Sequence, residues 1–393
     1  MDNSFYIEVH CHQKSYDGEH ISGDVFLSKR IPEENRIIAV LSDGMGHGVK
    51  ANILATLTST LALNFTKEHK DANTIAQTVM KALPECSERK ISYATFTIID
   101  MEFGGITQII EYGNPNCIIY RGLKLFQPEW QCVLLTGANA GKEILTCKFT
   151  SQKEDRIIFF SDGISQSGTG SNRYPNGWGN DNATLYIQKL ISNNPSVSAR
   201  NLSAKMVNIA FQNDNFASKD DTACATIYLR DPRRLLICSG PPVEPINDSE
   251  MAEIVKNFVG KKIICGATTS SIIATQLGLE ITEGPQFEES GLPPISYMEG
   301  VDLVTEGILT LSKVDELLKN YQKMIKHNKG PADQIIKLLL ESDEIHLLIG
   351  MRINQANHVP GLPLELEVRP TIARRISRTL EDKFLKVVHL KYM

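Results

Sequence analysis

No run of apolar residues in this chain approaches the roughly 20 that a membrane-spanning helix needs. The opening residues, Met1-Asp2-Asn3-Ser4-Phe5-Tyr6-Ile7, lack a basic stretch followed by an apolar core, so no signal peptide is expected. No C-x-x-C pair occurs among the eight cysteines, which argues against a zinc finger and gives no disulfide framework. Most of them sit inside apolar runs, where a thiol behaves as a small hydrophobe and is expected to stay reduced. Basic excess is missing too: the net charge is -5, so nothing in it marks a nucleic-acid or anionic-membrane surface. These absences predict a cytoplasmic protein with neither nucleic acid nor membrane as partner. What remains is an ordinary globular composition, 42% hydrophobic and 22% charged, over 393 residues, a length that favours two domains.

Four aspartates, Asp24, Asp43, Asp162 and Asp220, stand at the ends of apolar runs. In Ile37-Ile38-Ala39-Val40-Leu41-Ser42-Asp43-Gly44-Met45-Gly46-His47-Gly48 a buried strand ends in a carboxylate, and a glycine-rich turn feeds a helix. Gly44, Gly46 and Gly48 let the backbone approach a ligand and leave the Gly44 carbonyl free as an oxygen donor. Ile157-Ile158-Phe159-Phe160-Ser161-Asp162-Gly163 repeats the design. An isolated Asp-Gly step is usually only a turn. Carboxylates converging from distant strand ends, by contrast, hold hard divalent cations, and that points to metal-assisted hydrolysis, with phosphate esters the leading substrate. His47 reads as a solvent-facing turn histidine, with proton shuttling as the alternative.

The surrounding pattern supports two packed sheets with helices outside. Strands are expected over Phe5–Cys11, Gly23–Ile31, Arg36–Leu41, Ser92–Asp100, Gly105–Tyr112, Cys117–Tyr120, Ile144–Thr150, Asp155–Phe160 and Thr222–Leu229. Helices are expected over Val49–Thr66, where Ile53, Leu54, Leu57, Leu61 and Phe65 recur at helical spacing, and over Thr74–Cys86, Thr184–Ser192 and Ser198–Phe211. Gly168–Asn180, with Trp178, reads as an exposed loop.

Together these residues resemble the bacterial stage II sporulation protein E branch of the PPM-type metal-dependent Ser/Thr protein phosphatases. Asp43-Gly44-Met45-Gly46-His47-Gly48 carries the signature. Ser22-Gly23-Asp24-Val25-Phe26, Tyr93-Ala94-Thr95-Phe96-Thr97-Ile98-Ile99-Asp100, Tyr112-Gly113-Asn114-Pro115 with Arg121 downstream, Phe159-Phe160-Ser161-Asp162-Gly163-Ile164 and Lys219-Asp220-Asp221-Thr222 follow in the family's order. The closing motif departs in placing Thr222 directly after Asp221. The resemblance implies an α+β fold, an αββα two-sheet sandwich over 1–230, with two Mn²⁺ or Mg²⁺ ions at one end. It implies that Asp43 bridges the ions, the Gly44 carbonyl binds one, and Asp162 and Asp220 hold the other. Asp24 would bind directly or through water, and either Asp220 or Asp221 could face the metal, with Asp220 preferred. Asp43, Asp162 and Asp220 would thus carry the hydrolysis of phosphoserine or phosphothreonine in a regulatory phosphoprotein by a metal-activated water. The first helix pair, Val49–Thr66 and Thr74–Cys86, occupies the place where members of the branch are switched. The alternative is a catalytically silent scaffold or ligand-sensing module on the same fold.

Past the boundary Arg230-Asp231-Pro232-Arg233-Arg234 no phosphatase motif occurs, and 231–393 reads as a smaller α/β domain of regulatory or ligand-sensing role. Its elements are expected at Leu235–Cys238, Ser249–Val259, Lys261–Cys265, Ser270–Leu277, Val301–Thr310, Lys313–Ile325, Asp333–Leu340, Glu344–Ile349 and Arg375–Lys383. In Ile263-Ile264-Cys265-Gly266-Ala267-Thr268-Thr269-Ser270-Ser271 a strand ends in a hydroxyl-rich loop that starts a helix. Thr268 or Thr269 could act only as an N-cap. Gly266, Thr268, Thr269 and Ser270 could instead form an anion pocket, with Asp302, Glu306 and Arg352 nearby. The loop is neither a P-loop nor a G-x-G-x-x-G turn. Expected partners are therefore a phosphoprotein substrate, a small-molecule or protein regulator of 231–393, and a second copy of the chain in a homodimer.

Overall fold

The structure, a computed structural model, describes residues 6–82, 94–286, 291–321, 330–352, 365–384 and 386–393. The ends of the expected helices Thr74–Cys86 and Lys313–Ile325 and the start of the expected strand Ser92–Asp100 lie outside the described residues. The chain divides into two compact units, Met1–Asp231 and Pro232–Met393. Among the described residues no helix is long and apolar enough to cross a membrane.

The first unit runs β1 (Tyr6–Lys14), β2 (Asp24–Ile31), β3 (Arg36–Gly44), α1 (Gly48–Lys67), α2 (Ala72–Ala82), β4 (Ala94–Glu102), β5 (Ile106–Tyr112), β6 (Ile118–Arg121), β7 (Lys124–Phe126), β8 (Trp130–Leu134), β9 (Glu143–Thr150), β10 (Asp155–Phe160), the single turn α3 (Asp162–Ser165), α4 (Gly179–Asn193), α5 (Ala199–Asn213) and β11 (Thr222–Arg230). One sheet has the order β1-β11-β10-β6-β7, the other β2-β3-β4-β5-β9-β8. Alternation along each strand builds three layers of core. Ile37, Ala39 and Leu41 of β3 meet Ile157 and Phe159 of β10 between the sheets. Ile38 and Val40 face α1 and α2, whereas Ile158 and Phe160 face α4 and α5. Both faces of β3 and β10 are covered, which is why their sequences are nearly continuous apolar runs. The αββα sandwich expected from the sequence is the fold observed.

Two expectations fail in this unit. Ile53 and Leu57 do not face the core: with Val49 they are 61%, 41% and 59% exposed. The buried face of α1 is instead Ala51, Leu54, Ala55, Thr58, Ala62 and Leu63. The helix lies so close to β3 that small residues are needed there; a methyl group on Gly44 would fall inside the Ala51 carbonyl. Trp178 is not exposed either. It is buried against Tyr186, its backbone N–H held by the Ser167 carbonyl at 2.9 Å.

The second unit comprises β12 (Arg234–Ser239), α6 (Asp248–Asn257), β13 (Lys261–Cys265), α7 (Ala267–Leu277), β14 (Ile281–Glu283), β15 (Ser296–Met298), β16 (Val301–Thr305), α8 (Ile308–Lys319), α9 (Pro331–Glu341), β17 (Glu344–Ile349), α10 (Glu365–Phe384) and β18 (Val387–Tyr392). The sheet order is β14-β15-β16-β13-β12-β17-β18, and β16 through β18 are parallel. Counting only parallel strands, the order is 3-2-1-4-5, a doubly wound sheet whose direction of progression reverses between β12 and β17. Leu235, Ile237 and Leu347 pack toward α8, α9 and α10, and Leu236, Cys238 and Leu348 toward α6 and α7. The stretch Val301–Thr310 breaks into a strand and the start of a helix.

Gly44→Ala should destabilise the first unit by about 1–3 kcal/mol, because a backbone carbonyl cannot yield as a side chain can. Thermal unfolding followed by circular dichroism should show a melting temperature lower by several degrees.

Candidate active site

Four segments distant in sequence meet at one mouth of the sandwich. Asp24 opens β2 and pairs directly with Asp43 near the end of β3. Asp162 follows β10, and Asp220-Asp221 precedes its neighbour β11. The Asp43 and Asp162 carboxyls are in hydrogen-bond contact, and Asp24 feels the charges of Asp221, Asp162 and Asp220. All five aspartates named from the sequence are thus brought into one cluster, with Gly44 at its edge. Gly44 stays in β3, its N–H held by the Gly23 carbonyl at 3.2 Å.

Residues behind the carboxylates fix their direction. Ser161 Oγ donates to Asp24 Oδ2 at 2.6 Å and accepts the Ala223 N–H at 2.9 Å. The Tyr16 N–H donates to Asp221 Oδ1 at 3.0 Å, and Gln166 Nε2 to Asp162 Oδ2 at 2.7 Å. The Asp221 N–H donates to Asp220 Oδ1 at 2.8 Å. Sequence reading assigned no role to Ser161, Tyr16 or Gln166; only Ser161 lay inside a quoted motif. Glycine is needed where backbones touch: a Cβ on Gly23 would lie 2.7 Å from Asp221 Oδ2, and one on Gly163 would overlap the Asp221 carbonyl. Gly46 and Gly48 take φ of +90° and +73° in the turn. His47 between them is half exposed, stacked on Tyr16 with ring centroids 4.4 Å apart and with Nδ1 3.2 Å from Glu19 Oε1.

The Asn114 side chain explains the Gly-Asn-x-Pro turn. It bonds to Thr95 Oγ1, and its Nδ2 donates to Thr97 Oγ1 at 3.1 Å and to the Leu41 carbonyl at 3.4 Å, fastening β3 and β4 below the cluster. Arg121 is structural: its guanidinium forks onto Asp155 at 2.8 and 3.0 Å.

Burial raises the proton affinity of Asp24, Asp43, Asp162 and Asp220, and repulsion from neighbouring aspartates adds to it for all of these but Asp162. Asp24 and Asp43 titrate well above the usual carboxylate range, desolvation being the first cause and the neighbouring aspartates the next. Asp162 is also raised by burial, and Asp220 is pushed up to about 6 by burial and Asp162. No three His, Cys, Asp or Glu side chains among the described residues form a ready cage for a metal ion. Asp24 is turned onto Ser161, Asp221 onto Tyr16, and Asp43 onto Asp162. The donor set nevertheless fits a hard dication. It is all oxygen, and Asp24 Oδ1 and Asp221 Oδ2 are buried with no hydrogen-bond partner among the described residues. Asp220 faces Asp162 and Asp43, whereas Asp221 faces Asp24, so both members of the pair belong to the cluster.

In the second unit, Gly266 has φ +117° and is itself the N-cap of α7, with no side-chain cap. The N-cap reading of Thr268 or Thr269 is therefore not what the structure shows. Thr269 Oγ1 accepts the Gly240 N–H at 2.9 Å, Ser270 Oγ donates to the Ala267 carbonyl at 2.9 Å, and Thr268 is exposed. Asp302 lies at the opposite end of the strands, paired with Lys261, and Arg352 is paired with Asp248. Neither lines this loop; Glu306 does, folded onto the Gly307 N–H.

A two-sheet αββα sandwich with aspartates gathered at one mouth defines a phosphatase domain of the PPM type. The sequence profile of the stage II sporulation protein E (SpoIIE) family matches residues 33–230, half of the chain, and the chain belongs to that family. Among solved structures, the phosphatase domain with a regulatory-domain fragment of SpoIIE from Bacillus subtilis is 15% identical at a TM-score of 0.48, the likeness covering 57% of this chain and 62% of that one. RsbX in complex with magnesium is 20% identical at a TM-score of 0.39, covering 58% and 98%. The catalytic domain of the serine/threonine phosphatase PstP with two manganese ions is 12% identical at 0.38, covering 58% and 100%. No curated protein sequence matches the chain.

Carboxylates whose folded pKa is raised bind protons more tightly in the folded chain, so without metal its stability falls as pH rises from about 4, the unfolded value. For Asp220 that contribution is lost as pH rises through about 6. Asp43→Asn should raise the melting temperature at pH 7 in EDTA by a few degrees, on the order of 1 kcal/mol, and flatten its decline between pH 4.5 and 7, as read by scanning calorimetry.

Proposed function

We propose that residues 1–230 hydrolyse phosphoserine or phosphothreonine in a regulatory phosphoprotein. We propose also that residues 231–393 form a ligand-sensing unit. The observation that carries the first reading is the cluster itself: five aspartates at one mouth, two of them with buried oxygens that nothing among the described residues satisfies. Asp24, Asp43, Asp162, Asp220 and Asp221, with the Gly44 carbonyl, would hold two Mn²⁺ or Mg²⁺ ions. Such ions supply a water acidic enough to attack at neutral pH and neutralise phosphoryl oxygens. Ser161, Tyr16 and Gln166 each hold one oxygen of Asp24, Asp221 and Asp162 and leave the other for an ion, and the buried Leu41 and Phe159 behind them limit water to the mouth. A silent scaffold would have no use for carboxylates that repel one another, so catalysis is preferred. The cytoplasmic setting stays part of the reading, in keeping with buried free thiols such as Cys147 and Cys224.

Full-length protein with Mn²⁺ should release phosphate from p-nitrophenyl phosphate and from phosphoserine peptides. Asp43→Ala and Asp162→Ala should each lower the rate by more than about 100-fold, since even residues behind a metal ligand cost 10–100-fold. Rates that survive both changes would place the reaction elsewhere.

For the second unit the reading is an anionic small molecule at the reversal of the sheet. In open α/β sheets ligands lie outside the carboxyl ends of the strands at such a point. Gly240, Gly266, Gly307 and Gly350 follow the ends of β12, β13, β16 and β17 there. Ser239 Oγ, on the last rung beside Cys265 and Ile349, is buried without a partner among the described residues. Arg369 Nη1 donates to the Gly350 carbonyl at 3.0 Å, placing positive charge beside it. Gly266 and Thr268 offer the exposed rim, and the Thr269 hydroxyl links the β12 and β13 loops. Inorganic phosphate should raise the melting temperature of the full chain in EDTA by a few degrees. Thr268→Asp, which suits a helix N-terminus but repels an anion, should abolish that rise and leave the fold intact; a rise that persists would defeat this assignment.

A further inference from the structure

The same mouth of the sandwich holds a second feature, away from the aspartates. A cavity of about 260 Å³ opens between the ends of β5 and β9, lined by Glu111, Tyr112, Gly113, Asn114, Lys142 and Glu143 among others. It is smaller than the roughly 300–1,000 Å³ of small-molecule sites and suits one side chain. Glu111 is 3% exposed. Its Oε1 accepts the Cys117 N–H at 2.7 Å, which accounts for one oxygen. The other, Oε2, is buried with no hydrogen-bond partner among the described residues.

Strand register relates this carboxylate to the aspartates. Leu41 pairs with Thr97, Thr97 with Glu111, and Glu111 with Leu145, so all four lie on one rung. Asp43 is two residues beyond Leu41 on the same strand and hence on the same face. Two strand spacings sideways and two residues along give a separation of about 12 Å. Asn114, bonded to Leu41 and Thr97, stands between the two places. In an extended peptide about 12 Å is three to four residues.

We propose that this cavity seats a basic side chain of the phosphoprotein, three or four positions from the phosphorylated residue, with Glu111 Oε2 accepting from its guanidinium or ammonium. The proposal rests on the phosphatase reading for its geometry. Charge chooses the occupant. Glu111 and Glu143 outnumber Lys142, whose Nζ is already held by Asn139 Oδ1 at 3.3 Å. A phosphate or carboxylate would meet two carboxylates. An apolar side chain would leave Glu111 Oε2 buried and unsatisfied, which costs more than a missing contact. Burial pushes the Glu111 carboxyl up to about 7, and a seated cation would keep it ionised at neutral pH.

The test reads binding, so that it does not depend on turnover. Fluorescence anisotropy with Mn²⁺ and the full-length Asp162→Ala variant would compare phosphoserine peptides in which one arginine is moved from five residues before to five after the phosphoresidue. One arginine position, three or four away, should tighten binding about tenfold or more over the neutral peptide, the range of a hydrogen bond to a charged group. Adding Glu111→Gln, which keeps an acceptor for the Cys117 N–H, should erase that preference. Adding Lys142→Glu should enlarge it. No arginine preference, or one indifferent to both changes, overturns the proposal. Absence of phosphatase activity in the unaltered protein, with the arginine preference intact, would refute the phosphatase reading and leave the pocket standing.

Discussion

Mutual repulsion among buried aspartates is the constraint around which the first unit is arranged. Asp24, Asp43, Asp162, Asp220 and Asp221 come from four segments, and burial makes the first four harder to ionise. Nothing local would gather them. They are gathered because they sit at the ends of strands whose other residues form the inter-sheet core: Ala39 and Leu41 before Asp43, Ile157 and Phe159 before Asp162, Ala223 and Ala225 after Asp221. Hydrophobic burial along each strand fixes where its carboxylate must be, and the glycines at 23, 44 and 163 let the chains approach closely enough for the groups to touch. The site is thus a cost borne at the edge of a core that stabilises the rest.

Much of this was legible in the chain because strand ends are local events. An apolar run followed by Asp-Gly needs no knowledge of partners, and the order of such runs placed the sandwich. What stayed hidden depends on contacts across large separations. Ser161 meets Asp24 from 137 residues away, and Tyr16 meets Asp221 from 205. Neither has a sequence mark, since serine before an aspartate is common and a backbone N–H carries no label. Helical spacing placed Ile53 and Leu57 on α1 but could not say which face the sheet would take. Closeness to Gly44 selected the small-residue face over the large-residue one. Trp178 was misread because glycine, asparagine and proline mark irregular backbone, not exposure; its loop folds back over α4 and buries the indole.

The second unit shows the opposite balance. Its parallel strands were visible as short apolar runs, yet strand order is a property of crossovers and cannot be seen in any one of them. β18, with His389 between Val388 and Leu390 and Lys391 between Leu390 and Tyr392, gave too weak an alternation to be read and closes the sheet beside β17. α10 starts at Glu365, ten residues before the expected Arg375, because Pro370 stands at its sixth position, past the free N–H groups of the first turn, and reads in sequence as a helix breaker. Only with the order 3-2-1-4-5 in hand does the row of glycines after the strands acquire a meaning, because only then do Gly240 and Gly350 become neighbours at the reversal.

Helix α1 joins the site to the rest of the sandwich more tightly than a surface helix usually does. Its first turn follows the Asp43 turn with only Met45, Gly46 and His47 between, and the Ala51 carbonyl rests on Gly44. At its other end the Thr66 carbonyl accepts from Arg36 Nη2 at 2.6 Å, and Arg36 is itself held by both oxygens of Asp100. A rigid rod fixed at both ends of one strand cannot slide along it without moving the Gly44 peptide or breaking the Arg36 contact. At the Gly44 end the fit is one of backbone against backbone, with no long side chain to absorb a displacement, so a shift of α1 there bears directly on the residue next to Asp43. The same closeness that admits Asp43 to the cluster therefore makes the cluster's geometry depend on where this one helix sits.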